Sequence, residues 1–482
     1  GLVGDAVNTC HKMRLEGLTF DCMTMASLFS AFADSTDLEL GKVGHCYCIR
    51  SGLDSDVAVA ASIVNMYAKC EEIDYAKQVF DSTSKKDLVL WNTLLAAYAD
   101  RGLSGEVKML FHQMQLQGFH PNVISWNSIL LGFLKNGQVD EAKDMFSQMR
   151  LLDIEPNVVT WTTLVTGLAQ NGLSLEAMLL SQEMQEAGIK PNTKSLTSLL
   201  SVCTDMTSLK LGKTIHGYIT RRYYSLSTEI ATSLVDMYAK CGSIDQAVKV
   251  FNIVSDKGLA LYNAMISAYG LHSQARKALE LYKHMQEKGI EPDDVTFTTV
   301  LSSCSHEGLV NEGLEVFSNI FSLYTGKPSM EHYGCLVTLL SKCGNLDEAI
   351  RLVLAMPSGP DAKVLGSLLS GCREQNQIEL GEYLSKYLLQ VEPNNTANYV
   401  ALSNVYAATG KWVKASEIRD LMKRQGLKKK PGCSWVQIGT ECHVFVAGDR
   451  SHPQKTKISM MLALLHKEMR ANHNGFNLEA IC

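Results

Sequence analysis

The chain has 482 residues, of which 46% are hydrophobic, and it carries a formal net charge of -5 at pH 7. A single hydrophobic core is rarely this large, so the length predicts several domains or an extended array. The negative charge excludes an overall basic field, so any nucleic acid must bind through locally placed residues. No apolar run approaches the roughly 20 residues that span a bilayer, so no membrane partner is expected.

The N-terminal part of the sequence predicts a partial helical hairpin followed by two complete ones. The partial hairpin ends at Asp21, and the complete hairpins occupy 22–56 and 57–87. The sequence starts at Gly1 inside a helical pattern, with neither an initiator Met nor a targeting peptide. We therefore expect the natural N-terminus to lie upstream of this sequence.

A repeat is plainest in the next segment. The strings LVLWNTLLAAYADRG, VISWNSILLGFLKNG and VVTWTTLVTGLAQNG begin at 88, 123 and 158, a spacing of 35 residues. Each repeat closes with a tail such as MQLQGFHPN, in which Gly and Pro interrupt the helix before the next repeat begins. The pattern predicts helical hairpins at 88–122, 123–157 and 158–192.

Both helices of the hairpin at 88–122 carry an apolar face with helical spacing. The first helix has apolar residues at i, i+3, i+4 and i+7, and the second helix repeats that spacing: Trp91, Leu94, Leu95 and Tyr98, then Val107, Leu110, Phe111 and Met114. One hairpin cannot bury both faces by itself, so the hairpins must stack on their neighbours.

The array continues with hairpins of unequal length. Further hairpins are predicted at 193–227, 228–258, 259–293, 294–329 and 330–361. The two hairpins at 57–87 and 228–258 have only 31 residues. No linker separates the hairpins, which favours one continuous superhelix. We predict an all-α fold, a right-handed α-solenoid of helix-turn-helix repeats, with a small C-terminal β-hairpin where SWVQI and CHVFVAG alternate like strands.

These strings resemble one known family. The hairpins, with their alternating lengths, resemble pentatricopeptide repeats of the land-plant PLS class over residues 1 to about 460. VLGSLLSGCREQNQIELGEYLSKYLLQVEPNN resembles the first extension (E) motif of that class, NYVALSNVYAATGKWVKASEIRDLMKRQGLKKKPGCSWVQI the second, and ECHVFVAGDRSHPQ the segment after them. The resemblance implies a repeat array at 1–361, extension motifs at 362–395 and 396–438, and an E+ like tail at 439–482, truncated before any DYW deaminase domain.

The resemblance implies an organellar protein, of the chloroplast or the mitochondrion, that binds single-stranded RNA and selects a cytidine for C-to-U editing. Zinc deaminases need a His-x-Glu motif and a Cys-x-x-Cys pair, and His466-Lys467-Glu468 has no such pair after it. We therefore expect no enzyme, no catalytic residue, no metal and no cofactor. A DYW-type deaminase and other editing cofactors would be recruited in trans through 362–454, and no small-molecule substrate is expected.

In this family the fifth and the last residue of a repeat read one base together. Carried over to this sequence, the pairs are Asn92 with Asn122, Asn127 with Asn157, Thr162 with Asn192, Thr197 with Ser227, and Asn263 with Asp293. Thr232 is the fifth residue of a repeat that ends at Gly258, which is not a standard pair. The resemblance implies the base order pyrimidine, pyrimidine, adenine, adenine, any base, uracil, with the bases sandwiched by Val89, Ile124 and Val159.

Simpler interpretations stand beside these. Asn and Thr at the start of a helix are also ordinary capping residues. Four residues near the C-terminus fit no standard zinc spacing, and we interpret them as parts of a strand hairpin: Cys433, Cys442, His443 and His452. A basic cluster fits phosphate contact and a solvated helix end equally well: Lys423, Arg424, Lys428, Lys429 and Lys430.

Two other functions remain open at this point. One is an RNA-binding factor for organellar splicing, stability or translation, which needs no deaminase. The other is a protein-binding helical scaffold like the tetratricopeptide arrays. The period of 35 residues and the recurrent polar pairs favour RNA over protein as the ligand.

Overall fold

The computed structural model describes residues 2–222, 226–323, 327–357, 359–375, 377–408, 410–427, 433–438, 441–446 and 452–473. The chain divides into two compact bodies. The N-terminal body is Gly1–Ala268 and the C-terminal body is Tyr269–Cys482.

Within these residues the chain forms 26 α-helices, and the predicted hairpins from 22 to 361 contain two α-helices each. The helices are α1 Leu2–Leu15, α2 Cys22–Ser35, α3 Leu38–Ser51, α4 Val57–Lys69, α5 Ile73–Ser82, α6 Leu88–Asp100, α7 Ser104–Leu116, α8 Val123–Lys135, α9 Val139–Leu151, α10 Val158–Gln170, α11 Ser174–Glu186, α12 Thr193–Asp205, α13 Leu209–Arg221, α14 Thr228–Lys240, α15 Ile244–Ile253, α16 Leu259–Leu271, α17 Ala275–Glu287, α18 Asp294–Glu307, α19 Val310–Leu323, α20 Met330–Lys342, α21 Leu346–Leu354, α22 Ala362–Glu374, α23 Ile378–Val391, α24 Thr396–Ala408, α25 Trp412–Arg424 and α26 Lys455–His473. A short 3-10 helix, Leu53–Ser55, lies between α3 and α4. The strands are β1 Cys433–Ile438 and β2 Glu441–Val446.

In the N-terminal body the first helices of successive hairpins lie side by side. Contacts run from α2 through α4, α6, α8, α10 and α12 to α14. The predicted apolar faces of α6 and α7 are buried, including Trp91, Leu95, Val107 and Met114. The predicted stacking of hairpins through these faces is therefore confirmed.

One aromatic contact recurs between neighbouring hairpins. A Phe of the second helix meets a Trp of the next first helix edge to face, with ring centroids 4.8 Å apart for Phe80 and Trp91, 5.0 Å for Phe111 and Trp126, and 5.4 Å for Phe146 and Trp161. Such a pair stabilises a fold by about 0.5–1.5 kcal/mol beyond the burial of its area. The repeat in the sequence therefore corresponds to a repeated Phe–Trp contact between neighbouring hairpins.

Neighbouring first helices approach closely at Gly167 of α10. A Cβ atom at this position would lie 2.7 Å from Cβ of Leu134 on α8. The Leu134 Cβ is held by its own backbone, so it cannot yield as a flexible side-chain end does. Only glycine allows α8 and α10 to pack at this separation.

Each short hairpin is joined to the hairpin before it by a His–Tyr hydrogen bond. The Nδ1 atom of His45 on α3 lies 3.0 Å from the hydroxyl of Tyr67 on α4, and that of His216 on α13 lies 2.8 Å from the hydroxyl of Tyr238 on α14. Burial lowers the pKa of both imidazoles. Both rings are therefore favoured in the neutral form.

The C-terminal body repeats this packing and adds a β-hairpin. Helices α18, α20 and α22 lie side by side, and α24 packs against α23 and α25. Strands β1 and β2 pair antiparallel, with Cys433 opposite Val446 and Ile438 opposite Glu441. The predicted class, stacked helical hairpins of an α-solenoid with a small C-terminal β-hairpin, is confirmed. Among the described residues, no helix has both the length and the apolar character needed to cross a membrane.

Candidate nucleic-acid interface

The first helices border a groove in the N-terminal body. The groove has a volume of about 630 Å³ and is lined by residues of α2, α4, α6 and α8. Three of the predicted site residues line it, namely Val89, Asn92 and Ile124. Its other walls are small or polar side chains, among them Ala61 and Asn65. The groove is therefore open enough to admit a flat polar ligand.

The predicted base-sandwiching residues are exposed aliphatic side chains. Val89, Ile124 and Val159 are the second residues of α6, α8 and α10, and they are 60%, 58% and 53% exposed. Val89 and Ile124 line the same groove as Asn92, which is 8% exposed. Two aliphatic side chains and one amide are thus available to the same ligand.

The pair Asn92 and Asn122 is joined by a hydrogen bond. Nδ2 of Asn92 donates to Oδ1 of Asn122 at 3.3 Å. Asn122 lies just before α8, and its Oδ1 also accepts from the backbone N–H groups of Ile124 and Ser125. The last residue of the repeat is therefore a helix cap and a partner of the fifth residue at the same time.

The members of the pair Thr162 and Asn192 also lie close together, but the hydroxyl proton of Thr162 is donated elsewhere. The hydroxyl of Thr162 lies 3.4 Å from Oδ1 of Asn192, which also accepts from the backbone N–H of Ser195 at 2.8 Å. Thr162 is 5% exposed and donates to the carbonyl of Val158 at 2.6 Å. Its hydroxyl thus has a fixed orientation at the edge of α10.

The pair Asn127 and Asn157 is not joined by a hydrogen bond. Asn157 caps α10 through the N–H groups of Val159 and Thr160. The Oδ1 atom of Asn127 is buried and has no hydrogen-bond partner in the described part of the chain. Asn127 thus has an unsatisfied acceptor where Asn92 accepts a hydrogen bond from Ser125.

The remaining predicted residues bond mainly to their own helices. Thr197 donates to the carbonyl of Lys194, and Thr232 donates to that of Thr228. Ser227 caps α14 through the N–H of Ile230, and no hydrogen bond links Ser227 to Thr197 within the described residues.

The last predicted pair consists of Asn263 and Asp293. Asn263 on α16 is 9% exposed. Asp293 precedes α18 and accepts from the backbone N–H of Thr296 at 2.8 Å. The cap position at the end of this repeat is thus filled as it is after the other 35-residue repeats.

A set of buried hydroxyls beside these pairs was missed by the sequence analysis. Each belongs to the third residue of a first helix and is completely buried: Ser125, Thr160, Ser195 and Thr296. We call them the third-residue hydroxyls. Each follows the last residue of a predicted reading repeat by three positions, and this spacing is the signal that would have found them.

Three cations lie on or near the groove, namely Lys69, Arg101 and Lys135, and the two lysines are paired with carboxylates of the preceding first helix. The ammonium of Lys69 on α4 lies 2.8 Å from Asp34, and that of Lys135 on α8 lies 3.1 Å from Asp100. Each pair joins the ends of neighbouring first helices. The groove thus has local positive charge that is partly neutralised within the protein.

The two Cys and two His residues near the C-terminus form no metal centre among the described residues. His443 and His452 share a hydrogen bond of 3.2 Å, and the ring of His452 stacks on Phe445. The side chains of Cys433 and Cys442 lie outside the described residues, and among those described no group of three or more His, Cys, Asp or Glu is placed to hold a metal.

The basic cluster is only partly described. Lys423 lies 3.6 Å from Asp420 on α25. Three of its members lie outside the described residues: Lys428, Lys429 and Lys430.

Three family models match the sequence. The model described as PPR repeat family matches 121–170, 156–205 and 257–306. The model described as PPR repeat matches 89–119, 230–259, 295–322 and 331–358. The model described as E motif matches 375–437, which includes α23, α24 and α25.

Curated relatives match almost the whole chain. Pentatricopeptide repeat-containing protein At5g55740, chloroplastic, of Arabidopsis thaliana is 56% identical over 472 residues, which are 97% of this chain and 57% of the relative. Pentatricopeptide repeat-containing protein At1g08070, chloroplastic, of the same plant is 31% identical over 444 residues, 92% of this chain and 50% of the relative. The chain spans about half the length of the curated relatives it matches.

A solved structure has a similar fold. It is the pentatricopeptide repeat protein PPR10 in complex with an 18-nt psaJ RNA element, with a TM-score of 0.56 and 17% identity over 88% of this chain and 72% of that chain. PPR10 is a maize protein. At this identity the likeness concerns the fold alone.

Proposed function

Because this chain belongs to the pentatricopeptide repeat family, in the PLS subgroup whose repeats are followed by an E motif, we propose that it binds single-stranded RNA with one base to each repeat. It acts by binding and carries out no chemistry of its own. Its targets are organellar transcripts in which it selects a cytidine for C-to-U editing. Both relatives named above are chloroplastic, which supports the chloroplast as the compartment.

One observation carries the RNA-binding proposal. Asn92 and Asn122 are hydrogen-bonded at the wall of an open groove, and the exposed side chains of Val89 and Ile124 lie in the same groove. A splayed base needs hydrogen-bonding groups for its edge and apolar groups for its faces. This arrangement supplies both, and the solved PPR10 complex holds an RNA element on a similar fold.

The proposed base order, read from 88–122 to 259–293, is pyrimidine, pyrimidine, adenine, adenine, any base, uracil. The test replaces the adenine beneath Thr162 by a pyrimidine and measures RNA affinity by gel shift. We expect the transversion to weaken binding by the wild-type protein about tenfold, as a mismatched base does elsewhere. Thr162→Asn should move the preference toward a pyrimidine.

Thr166→Asn is the matched control, since Thr166 lies one turn further along α10 and its hydroxyl contacts Ser198. This variant should keep the preference for adenine. Wild-type binding that is indifferent to the transversion would reject base recognition at this repeat.

The E motif supports the editing role and suggests where a deaminase binds in trans. Within 362–454, helices α23 and α25 expose large apolar side chains: Tyr383 is 68% exposed, Tyr387 46%, Trp412 69% and Val413 74%. Exposed aromatic and aliphatic residues on a folded surface are typical of protein-binding sites. We propose that this exposed surface recruits a DYW-type deaminase.

Trp412→Ser tests the recruitment surface. The variant should lose most of the deaminase that co-purifies with the wild-type protein and keep its affinity for RNA. Leu116→Ser is the control, because Leu116 on α7 is 88% exposed but lies far from 362–454 in the sequence. Equal deaminase recovery with the Trp412 and Leu116 variants would contradict the proposed surface.

The editing role is tested by sequencing organellar transcripts from a plant that lacks this protein. We expect at least one specific C-to-U event to be lost. If every event remains while splicing or transcript ends change, the alternative role in RNA splicing, stability or translation is correct instead.

A further inference from the structure

A hydroxyl hidden beneath the groove lies against the first base-reading pair. Oγ of Ser125 is 2.6 Å from Oδ1 of Asn92 and 3.2 Å from Oδ1 of Asn122. Ser125 is completely buried, so it cannot touch a ligand in the groove itself. Any effect of this hydroxyl on a ligand must pass through the two Asn side chains.

The start of α8 fixes the orientation of the Asn122 amide. Its Oδ1 atom accepts hydrogen bonds from the backbone N–H groups of Ile124 and Ser125, both at 3.1 Å. If the amide were turned around, its NH₂ group would face these two donors without an acceptor. Asn122 therefore keeps its oxygen on the helix start and its N–H groups for other partners.

The Asn92 amide is then held from two sides. Its Nδ2 atom donates to Asn122 at 3.3 Å, and its Oδ1 atom accepts from the hydroxyl of Ser125 at 2.6 Å. The bond from Ser125 is the shorter of the two. Without that bond, only the longer contact with Asn122 favours one orientation of the amide over the other.

We propose that the third-residue hydroxyl is a positioning residue for base recognition: Ser125 holds the Asn92 amide so that an N–H group, and not the carbonyl oxygen, is free to meet the base. This inference rests on the proposed RNA-binding function. Cytosine offers adjacent acceptors at N3 and O2, whereas N3 of uracil carries a hydrogen. An amide that is fixed with its N–H group toward N3 therefore favours cytosine over uracil, and an amide that rotates binds both.

The repeat at 158–192 has the same arrangement with different residues. Thr162 donates its only hydroxyl proton to the carbonyl of Val158, at 2.6 Å. The hydroxyl of Ser195, 2.7 Å away, is then the donor to Thr162. Ser195 is completely buried, so it can act on a bound base only through Thr162 and Asn192.

The repeat at 123–157 offers a natural comparison because it has the same Asn pair without this link. The hydroxyl of Thr160 donates to Oδ1 of Asn157 at 3.2 Å and forms no bond with Asn127 in the described part of the chain. One Asn–Asn pair of this protein is thus held by a hydroxyl and the other is not. Discrimination between cytosine and uracil should be stronger beneath 88–122 than beneath 123–157.

The test exchanges Ser125 for Thr or for Val, two residues of equal bulk that differ in the hydroxyl. Affinity of the full chain is measured by fluorescence anisotropy for two RNAs that carry cytosine or uracil beneath 88–122. Wild type and Ser125→Thr should keep the ratio of the two Kd values, and Ser125→Val should bring it about tenfold closer to one. The ratio is informative because a less stable protein binds both RNAs more weakly by the same factor.

Thr160→Val is the matched control, since it removes the equivalent capping hydroxyl of α10 without a link to Asn127. It should leave the ratio beneath 123–157 unchanged. A third RNA with adenine beneath 88–122 separates the two claims: if wild type binds all three RNAs equally, the proposed function itself fails. If wild type prefers the pyrimidines but binds cytosine and uracil equally, the positioning role is wrong. If wild type discriminates and the Thr and Val variants of Ser125 do so equally, the positioning role is wrong and the RNA-binding function stands.

Discussion

At the scale of single residues, Asn122 combines a structural role with the proposed recognition role in one side chain. Its oxygen caps α8, and the same oxygen accepts from Asn92 at the groove. The capping and base-reading interpretations of the sequence therefore describe the same residue and do not compete. Any substitution at this position acts on stability and on the predicted recognition together.

Asn122→Ala and Asn122→Asp separate these two effects. The Ala variant should lose about 1 kcal/mol of unfolding free energy because the cap is removed. The Asp variant should keep that stability, since Asp87 caps α6 in the same position, but it lacks the N–H groups of Asn and should change the base preference. Urea denaturation and RNA binding measure the two effects, and an Ala variant as stable as wild type would contradict the capping role.

The family resemblance predicted which polar residues are paired, but it did not predict how they bond. The pairing rule carried over from the family resemblance joined Asn92 to Asn122 and Thr162 to Asn192, and the members of both pairs lie close together. It did not distinguish Asn127, whose pair has the same letters but no hydrogen bond to Asn157 in the structure. That difference depends on hydrogen-bond geometry, which a residue pattern does not encode.

At the scale of elements, the spacing between first helices depends on glycine residues that let neighbouring helices pack closely. Gly167 and Leu134 show this for α10 and α8. The apolar periodicity of the sequence predicted the positions of the helices. It did not predict the close contact at Gly167, because a Gly in a helical pattern indicates only a weak helix former.

Gly167→Ala is expected to lower the unfolding free energy by about 1–3 kcal/mol, because the new Cβ must push α10 away from α8. Gly217→Ala in α13 is the control, since the nearest atom to a Cβ there is the end of the Arg221 side chain at 3.8 Å. That variant should be neutral or slightly stabilising, because Ala is the better helix former. Denaturant midpoints compare the two, and equal midpoints would contradict the packing argument.

The His–Tyr bonds between hairpins make stability depend on pH. Burial lowers the pKa of His45 and His216 below the ordinary value of 6.5, so the folded protein binds fewer protons there than the unfolded chain. Stability should therefore be complete above about pH 6.5 and fall as the pH drops through the lower pKa values of the folded state. His45→Phe combined with His216→Phe should flatten this dependence between about pH 7.5 and pH 5.5, as followed by denaturant midpoints. An unchanged slope would show that other groups cause it.

At the scale of the whole molecule, the negative net charge implies that RNA affinity comes mainly from base contacts. Two lysines near the groove, Lys69 and Lys135, are paired with Asp34 and Asp100, and Arg101 adds one further cation to its lining. The repeat pattern, the extension segment and the β-hairpin were all predictable from the sequence, because each is a local pattern. The division of the chain at Ala268 and Tyr269 was not, since both residues belong to one regular repeat.

RNA affinity should therefore respond weakly to salt. We expect log K against log salt concentration to have a slope shallower than about -3, equivalent to fewer than about four neutralised phosphates. Asp34→Asn combined with Asp100→Asn frees two lysines and should steepen the slope by about 1.4. Filter binding over a salt series measures both slopes, and a steep wild-type slope would mean that phosphates dominate binding.

If the last residue of a repeat both caps a helix and reads a base, as we propose, the cap restricts how such a protein can change its target. A helix start accepts only a few short side chains with an oxygen, chiefly Asn, Asp, Ser and Thr. The caps at Asn122, Asn157, Asn192, Ser227 and Asp293 all come from this small set. The need for a helix cap therefore limits the residue types that this position can hold. Under the proposed function, a new base specificity would arise by exchange among those few residue types.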